Sequence, residues 1–369
     1  MKTTPSIDSS SVSNLLTSNL STPDLSHRVN DRRVAYRGRF PSFDSTDAID
    51  LTAGLKLADR AVVTRRPLLA DYVELAKPRL VLLVLFTTSV GFLMGLPGWP
   101  MLHPYPFDAN MLALLLHTLI GTAMVAVGSM ALNQVIECDP DSVMQRTASR
   151  PIAQGRIGAF QAKIFGFWLI VVGGVYLGTA VNGLACGLTL LACVIYLSLY
   201  IPLKRHSSFN TIVGAVVGAM GPMIGYAAAA GRLEPPAWVL FAILGLWQVP
   251  HFLSIAWIYR DDYQRAGFQM LPAVDINGRM TARQIVLYTA ALLPISLLPT
   301  PMAMAGVVYF IVALTLGIVF VACSLPLLRT RDHRSTRRLA QRVFIASILY
   351  LPLLLMAMLV DRIAAILLT

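Results

Sequence analysis

Residues 110–151 read NMLALLLHTLIGTAMVAVGSMALNQVIECDPDSVMQRTASRP, and this stretch decides the fold. It opens with an apolar run over 110–135, and a bilayer-spanning helix needs about 20 such residues. The run ends abruptly in acids, amides and arginines. Working outward, eight further apolar runs occupy 78–97, 159–180, 183–202, 210–230, 236–258, 282–299, 303–326 and 343–361. Only 13 % of the chain is charged and 56 % is hydrophobic, with a mean hydropathy of +0.65. A soluble domain averages about 25 % charged residues, so the surplus apolar surface must face lipid. The expected fold is all-α: a polytopic membrane helical bundle of about nine transmembrane helices. The run over 210–230 carries Gly214, Ala215, Gly218, Ala219 and Gly221, small residues that let membrane helices pack closely.

The loops give an orientation. Those after the second, fourth, sixth and eighth runs hold fifteen Lys and Arg, among them Arg146, Arg150, Lys204, Arg205, Arg260 and Arg329. The alternate loops hold only Arg232. Positive residues stay on the cytoplasmic side, so the N-terminus and the basic loops are expected inside. The net charge of +11 therefore belongs to topology and not to nucleic-acid binding. The four cysteines, Cys138, Cys186, Cys193 and Cys323, form no CxxC pair, which argues against zinc and structural disulfides.

Residues 1–66 read as a disordered basic tail, rich in Ser, Thr and Asn at first and then in Arg. Residues 67–369 form the transmembrane domain. A mitochondrial transit peptide would be poor in acids, and Asp8, Asp24, Asp31, Asp44, Asp47 and Asp50 oppose that reading. A bacterial-type cytoplasmic membrane is expected, with the mitochondrial inner membrane as the alternative.

The chemistry gathers where the second run meets its inside loop. Asn133, Glu137 and Asp141 are spaced by four, which puts them near one helical face. Pro140 is expected to end or kink the helix, leaving Asp141 in the loop. Glu137, Asp139 and Asp141 repel one another unless a cation joins them. Hard oxygen ligands suit Mg²⁺, which commonly combines one or two carboxylates with substrate phosphates. Arg146 and Arg150 follow closely, and guanidinium forks suit phosphate oxygens. Acids for magnesium and arginines for phosphate together describe a diphosphate site. Asn133 and Glu137 sit at the end of an apolar span, where polar groups default to function. Lys204 and Arg205, and the Tyr259–Pro272 loop with Asp261 and Asp262, share this predicted face. His251 lies about 10 Å inside the sixth span at about 1.5 Å per residue. On its own it reads as a metalloporphyrin contact, a base, or a hydrogen bond to a neighbouring helix.

The run Asn133-x-x-x-Glu137-x-x-x-Asp141-x-x-Met144-x-Arg146-Thr147-x-x-Arg150-Pro151 resembles the first signature of the UbiA superfamily of intramembrane prenyltransferases. Three further motifs resemble its protoheme IX farnesyltransferase branch. They are Tyr200-x-Pro202-Leu203-Lys204-Arg205, Trp247-Gln248-x-Pro250-His251-Phe252 and Asp262-Tyr263-x-x-Ala266-Gly267-x-x-Met270-Leu271-Pro272. The likeness spans about 71–365. It implies transfer of a farnesyl group from farnesyl diphosphate to the vinyl group of heme B, with water added, giving heme O for a downstream heme A synthase. It implies Mg²⁺ on Asn133, Glu137 and Asp141, and diphosphate on Arg146, Arg150, Lys204 and Arg205. It makes His251 a candidate heme contact, and Asp262 and Tyr263 candidate substrate contacts. Two departures stand out. Glu137 replaces the usual Asp, and the second Asp-x-x-x-Asp motif is missing, since Arg265 follows Asp261 by four and Ala266 follows Asp262 by four.

A UbiA-type enzyme with a quinone-precursor or chlorophyll-type acceptor is the alternative within the class. A transporter would instead place ionisable groups at the bilayer midplane within an inverted repeat. A purely structural subunit would not need the Asn, Glu, Asp and Arg series at the membrane edge.

Overall fold

The computed structural model describes residues 68–96, 108–330 and 333–368, which contain helices and no strand. The tail expected over 1–66 lies outside the described residues. Nine helices among them are long and apolar enough to cross a membrane, one for each apolar run. We number the helices in chain order. α1 (Leu68–Ala76) is short and precedes the first span, α2 (Pro78–Gly95). α3 (Ala109–Ile136) runs into the one-turn α4 (Cys138–Val143). α5 (Ala159–Ala180) follows, then α6 (Gly183–Val194), one turn of π-helix (Ile195–Tyr200) and α7 (Ile201–His206) as one continuous span. α8 (Asn210–Ala230) and α9 (Pro235–Ile258) come next, then the short α10 (Arg260–Arg265) and α11 (Leu271–Val274). α12 (Arg279–Leu297), α13 (Val307–Ser324) and α14 (His333–Leu368) complete the bundle.

Three differences from the sequence reading stand out, each with a local reason. The fourth span continues to His206, so Lys204 and Arg205 sit on its last helical turn and not in a loop. The last helix begins at His333, so Arg337, Arg338 and Arg342 ride on helix. Apolar content marks only where lipid contact stops, whereas backbone hydrogen bonding carries helices past it. Asp141 is also helical: Asp141 N donates to Glu137 O at 2.8 Å, within α4. The break falls at Glu137 (φ −97°, ψ 15°), one turn before the helix would meet Pro140.

The spans are not equally placed. α8 and α9 are 67 % and 61 % buried over their apolar windows, against 22–44 % for the others. They form the centre, and the rest face lipid. α8 is central because its small residues admit neighbours to backbone distance. A side chain on Gly225 would put its first carbon 1.9 Å from the Thr88 carbonyl oxygen of α2, and one on Gly91 would meet Pro222 O at 2.0 Å. Between α3 and α5, Gly128 and Gly166 each face the other's carbonyl oxygen. Lipid gives helices little hydrophobic reason to associate, so this close van der Waals packing supplies much of the adhesion.

Gly225→Leu should therefore pry α8 from α2, where backbone and not a flexible side chain must yield. Overpacking costs about 1–3 kcal/mol, and this site should fall at the upper end. Gly187 has nothing within 4 Å of its added carbon. Thermal unfolding in detergent should show a clear loss for Gly225→Leu and none for Gly187→Leu.

Candidate active site

The inner end of α3 delivers three polar groups to one place. Asn133 Nδ2 donates to Glu137 Oε2 at 2.9 Å, one turn along. Asn133, Glu137 and Asp141 are all buried, while Asp139 between them is exposed. The expected three-acid cluster is thus two buried acids on one face and a third turned away.

Basic groups from other elements meet these acids. Lys204 Nζ lies 2.8 Å from Glu137 Oε1, and also 4.7 Å from the centre of the Tyr200 ring. Arg150 pairs with Asp141. Arg146 NH2 donates to Tyr263 Oη at 3.2 Å, and its guanidinium lies over Tyr259 and Tyr263. Burial alone would raise the Glu137 carboxyl. The charge and hydrogen bond of Lys204, with Asn133 and Lys77, outweigh it and hold Glu137 below its usual range.

Lys77 completes the group, and the sequence reading missed its role. It lies just ahead of the apolar run over 78–97, where its sequence position alone marks only a span boundary. The residue before a proline is disfavoured in the right-handed helical region, and Lys77, ahead of Pro78, takes left-handed backbone (φ 50°, ψ 61°). That conformation costs roughly 1–2 kcal/mol for a non-glycine residue. It breaks α1 from α2 and sends the Lys77 amine to Asn133 Oδ1 at 2.7 Å. α1 is tied down by Arg156, which pairs with Asp71 and Glu74 and donates to Ser149 O at 2.6 Å. Burial, and then the nearby Arg150 charge, push the Lys77 amine down to about 7.

These groups form the mouth of one cavity of about 400 Å³ between the spans. Four basic side chains (Lys77, Arg146, Arg150, Lys204) line it against two acids, Glu137 and Asp141. The excess of positive charge suits a polyanion. The deeper walls are mostly apolar: Leu80, Leu83, Val84, Val125, Ala126, Ile224 and Leu244. α9 contributes Trp247, Gln248, His251, Phe252 and Ile255, the cavity face of a 3.6-residue period. His251 stacks on Trp247 with ring centres 4.9 Å apart, and its Nδ1 lies 2.8 Å from Ser347 Oγ. The π-turn brings Tyr196 and Tyr200 to the wall, stacked at 5.5 Å.

Of the sequence-predicted residues, Asn133, Glu137, Asp141, Arg146, Arg150, Lys204, His251 and Tyr263 line this cavity. Arg205 is exposed on the last turn of α7 and does not. Asp262 is buried but lies outside the lining and pairs with Arg265 on its own turn. Successive helical residues diverge by about 100°, so Lys204 and Arg205 cannot both face inward.

Among the described residues no three His, Cys, Asp or Glu side chains come together as a closed metal cage. Asn133 Oδ1, Glu137 and Asp141 nevertheless offer hard oxygens on one face. That set fits Mg²⁺ of the kind completed by substrate phosphates and water.

The UbiA prenyltransferase family model matches residues 84–348. The chain belongs to the UbiA prenyltransferase family. This UbiA protein is 48 % identical over 292 residues to the protoheme IX farnesyltransferase of Solibacter usitatus, covering 79 % of this chain and 98 % of that one. It is 41 % identical to the protoheme IX farnesyltransferase of Koribacter versatilis, with 80 % and 94 % covered. Solved structures share the fold. A digeranylgeranylglyceryl phosphate synthase aligns with a TM-score of 0.65 at 18 % identity, covering 80 % of this chain and 99 % of that one. A UbiA homologue from Archaeoglobus fulgidus, bound to DMAPP and Mg²⁺, aligns with a TM-score of 0.58 at 15 % identity, over 81 % and 100 %.

Lys77 yields a pH-dependent prediction. A lowered amine pKa means the neutral, nucleophilic form prevails above about 7, whereas an ordinary lysine stays protonated to about 10.4. Amine-reactive labelling of the ligand-free protein at about pH 8, read by peptide mass, should mark Lys77 ahead of the other lysines. Equal labelling of Lys163 and Lys77 would contradict this.

Proposed function

We propose that this UbiA protein transfers a farnesyl group from farnesyl diphosphate to the vinyl group of heme B, giving heme O. One observation carries the reading: a net-basic cluster with paired acids closes the mouth of an otherwise apolar cavity. That polarity matches a diphosphate head and an isoprenoid tail. The names of the farnesyltransferase relatives support heme as the acceptor. The stacked Trp247–His251 pair, with Phe344 5.1 Å from His251, suits a flat macrocycle.

In this reading Asn133, Glu137 and Asp141 hold Mg²⁺. When bound, the metal supplies positive charge against the diphosphate as the allylic C–O bond breaks. Arg146, Arg150, Lys204 and Lys77 stabilise the negative charge that builds on the same leaving group. With metal on the two acids, Lys204 and Arg150, which pair with them in this structure, would be free to hold the phosphates. The apolar wall keeps water from the farnesyl carbocation until the acceptor captures it. Tyr263 holds Arg146 in place. Arg205 and Asp262, outside the cavity, drop from the substrate set.

The chain is a multi-pass membrane protein. The loop charge bias supports a bacterial-type cytoplasmic membrane with the N-terminus and the cavity mouth inside. A heme A synthase acting next on heme O is the partner this reaction implies.

The test is reconstitution with heme B, farnesyl diphosphate and Mg²⁺, read by mass spectrometry for a farnesylated heme. Glu137→Gln and Asp141→Asn should each lower turnover by on the order of 100-fold or more, as loss of a key charge-stabilising group does. Asp262→Asn should change turnover far less than either, because Asp262 lies outside the cavity lining and pairs with Arg265. A product formed on an added quinone precursor but not on heme B would overturn the acceptor assignment.

A further inference from the structure

We infer that His251 removes the proton from the water that completes the reaction, and that Gln248 holds this water. The inference rests on the heme-farnesylating reading and assigns its last step. Once the vinyl π electrons have formed the new C–C bond to farnesyl C1, diphosphate has departed with the electrons of the C–O bond. Positive charge then rests on the ring-side vinyl carbon. A water oxygen donates a lone pair there, and the resulting oxonium must lose one proton to leave the hydroxyl. Without an ordered water and a base, the same cation loses a proton from carbon instead, and the product is an alkene lighter by one water.

Two buried polar side chains of the cavity have no hydrogen-bond partner among the described residues and no work yet assigned, the Thr122 hydroxyl on α3 and the Gln248 amide on α9, and only Gln248 shares a helix with His251. Gln248 is 4 % exposed and lines the cavity, and its amide makes no hydrogen bond among the described residues. Its Oε1 lies where a side chain on Gly218 would sit, 2.1 Å from the position of the first carbon, so glycine there makes room for the amide. An unpaired buried amide carries a desolvation cost. A water bonded to it in an otherwise apolar chamber removes that cost.

His251 lies three residues on, on the same helical face, and its ring is fixed. Ser347 Oγ donates to Phe344 O at 2.6 Å, which commits its only proton. Ser347 Oγ must therefore accept from His251 Nδ1–H, 2.8 Å away. That sets the tautomer: Nε2 carries the bare lone pair, and it has no partner among the described residues. Trp247 stacks on the ring, and its own Nε1 donates to Ser347 O at 2.7 Å. A base oriented by a third group is the arrangement proton abstraction needs. The two carboxylates at the mouth are poor substitutes, since Lys204 and Arg150 occupy them in this structure and Mg²⁺ would occupy them in the loaded site.

The experiment compares wild type with Gln248→Leu, His251→Phe and Ser347→Ala in membranes given heme B, farnesyl diphosphate, Mg²⁺ and heavy-oxygen water. The readout is the ratio of hydroxylated to dehydrated farnesyl-heme by mass, beside heme affinity from a Soret titration. Wild type should give the hydroxylated product carrying solvent oxygen. The ratio should fall at least about tenfold in Gln248→Leu and His251→Phe, within the range general-base catalysis supplies, and less in Ser347→Ala. An unchanged ratio in His251→Phe overturns the inference, including the case where heme affinity collapses and the ring proves to be only an iron ligand. Absence of any farnesyl-heme from wild type would instead bring down the underlying reading.

Discussion

Glu137 is the group around which the site is arranged. A carboxylate at the buried end of an apolar helix cannot stay ionised alone, because desolvation disfavours the charge. Lys204 from the end of the fourth span and Asn133 from the preceding turn hold it in that form. That requirement draws α3 and α7 together at the membrane edge. Lys77 joins through Asn133 and brings in the start of α2. The polar mouth is thus a set of mutual obligations among helices that elsewhere pack mainly through apolar side chains.

Two backbone irregularities aim these groups. The left-handed turn at Lys77 redirects the chain between α1 and α2, and the π-turn over Ile195–Tyr200 shifts the register of the fourth span ahead of Lys204. π-bulges and strained residues cluster at functional sites because they place side chains that regular geometry would send elsewhere. Each is held by neighbours: Arg156 anchors α1 through Asp71 and Glu74, and Gly214 leaves space for the Tyr200 ring. The proposed chemistry depends on this division. Charge is confined to the mouth, and a carbocation in the apolar chamber meets only the polar groups the helices permit.

Helix number, class and membrane residence were legible in the chain because they follow from the length and apolarity of local segments. The Asn133, Glu137, Asp141 face was legible because a four-residue spacing on a helix carries its own geometry. The UbiA likeness added Lys204 and His251 from their motifs. What could not be read was which neighbour of a pair faces inward. Lys204 and Arg205 are adjacent and equally basic, yet only the first lines the cavity. Asp262 sat in a motif and proved to pair within its own turn.

Lys77 and Gln248 show the same boundary from the other side. A lysine before a membrane span and a glutamine within one have ordinary local explanations, anchoring and interhelical bonding. Only the packing of α2 on α3 sends Lys77 to Asn133, and only the glycine on α8 lets Gln248 face the chamber unpaired. The order of residues determines what each helix can bury and where it must end. The rotation of each helix about its axis, and therefore the membership of the site, is settled by contacts between segments far apart in the chain.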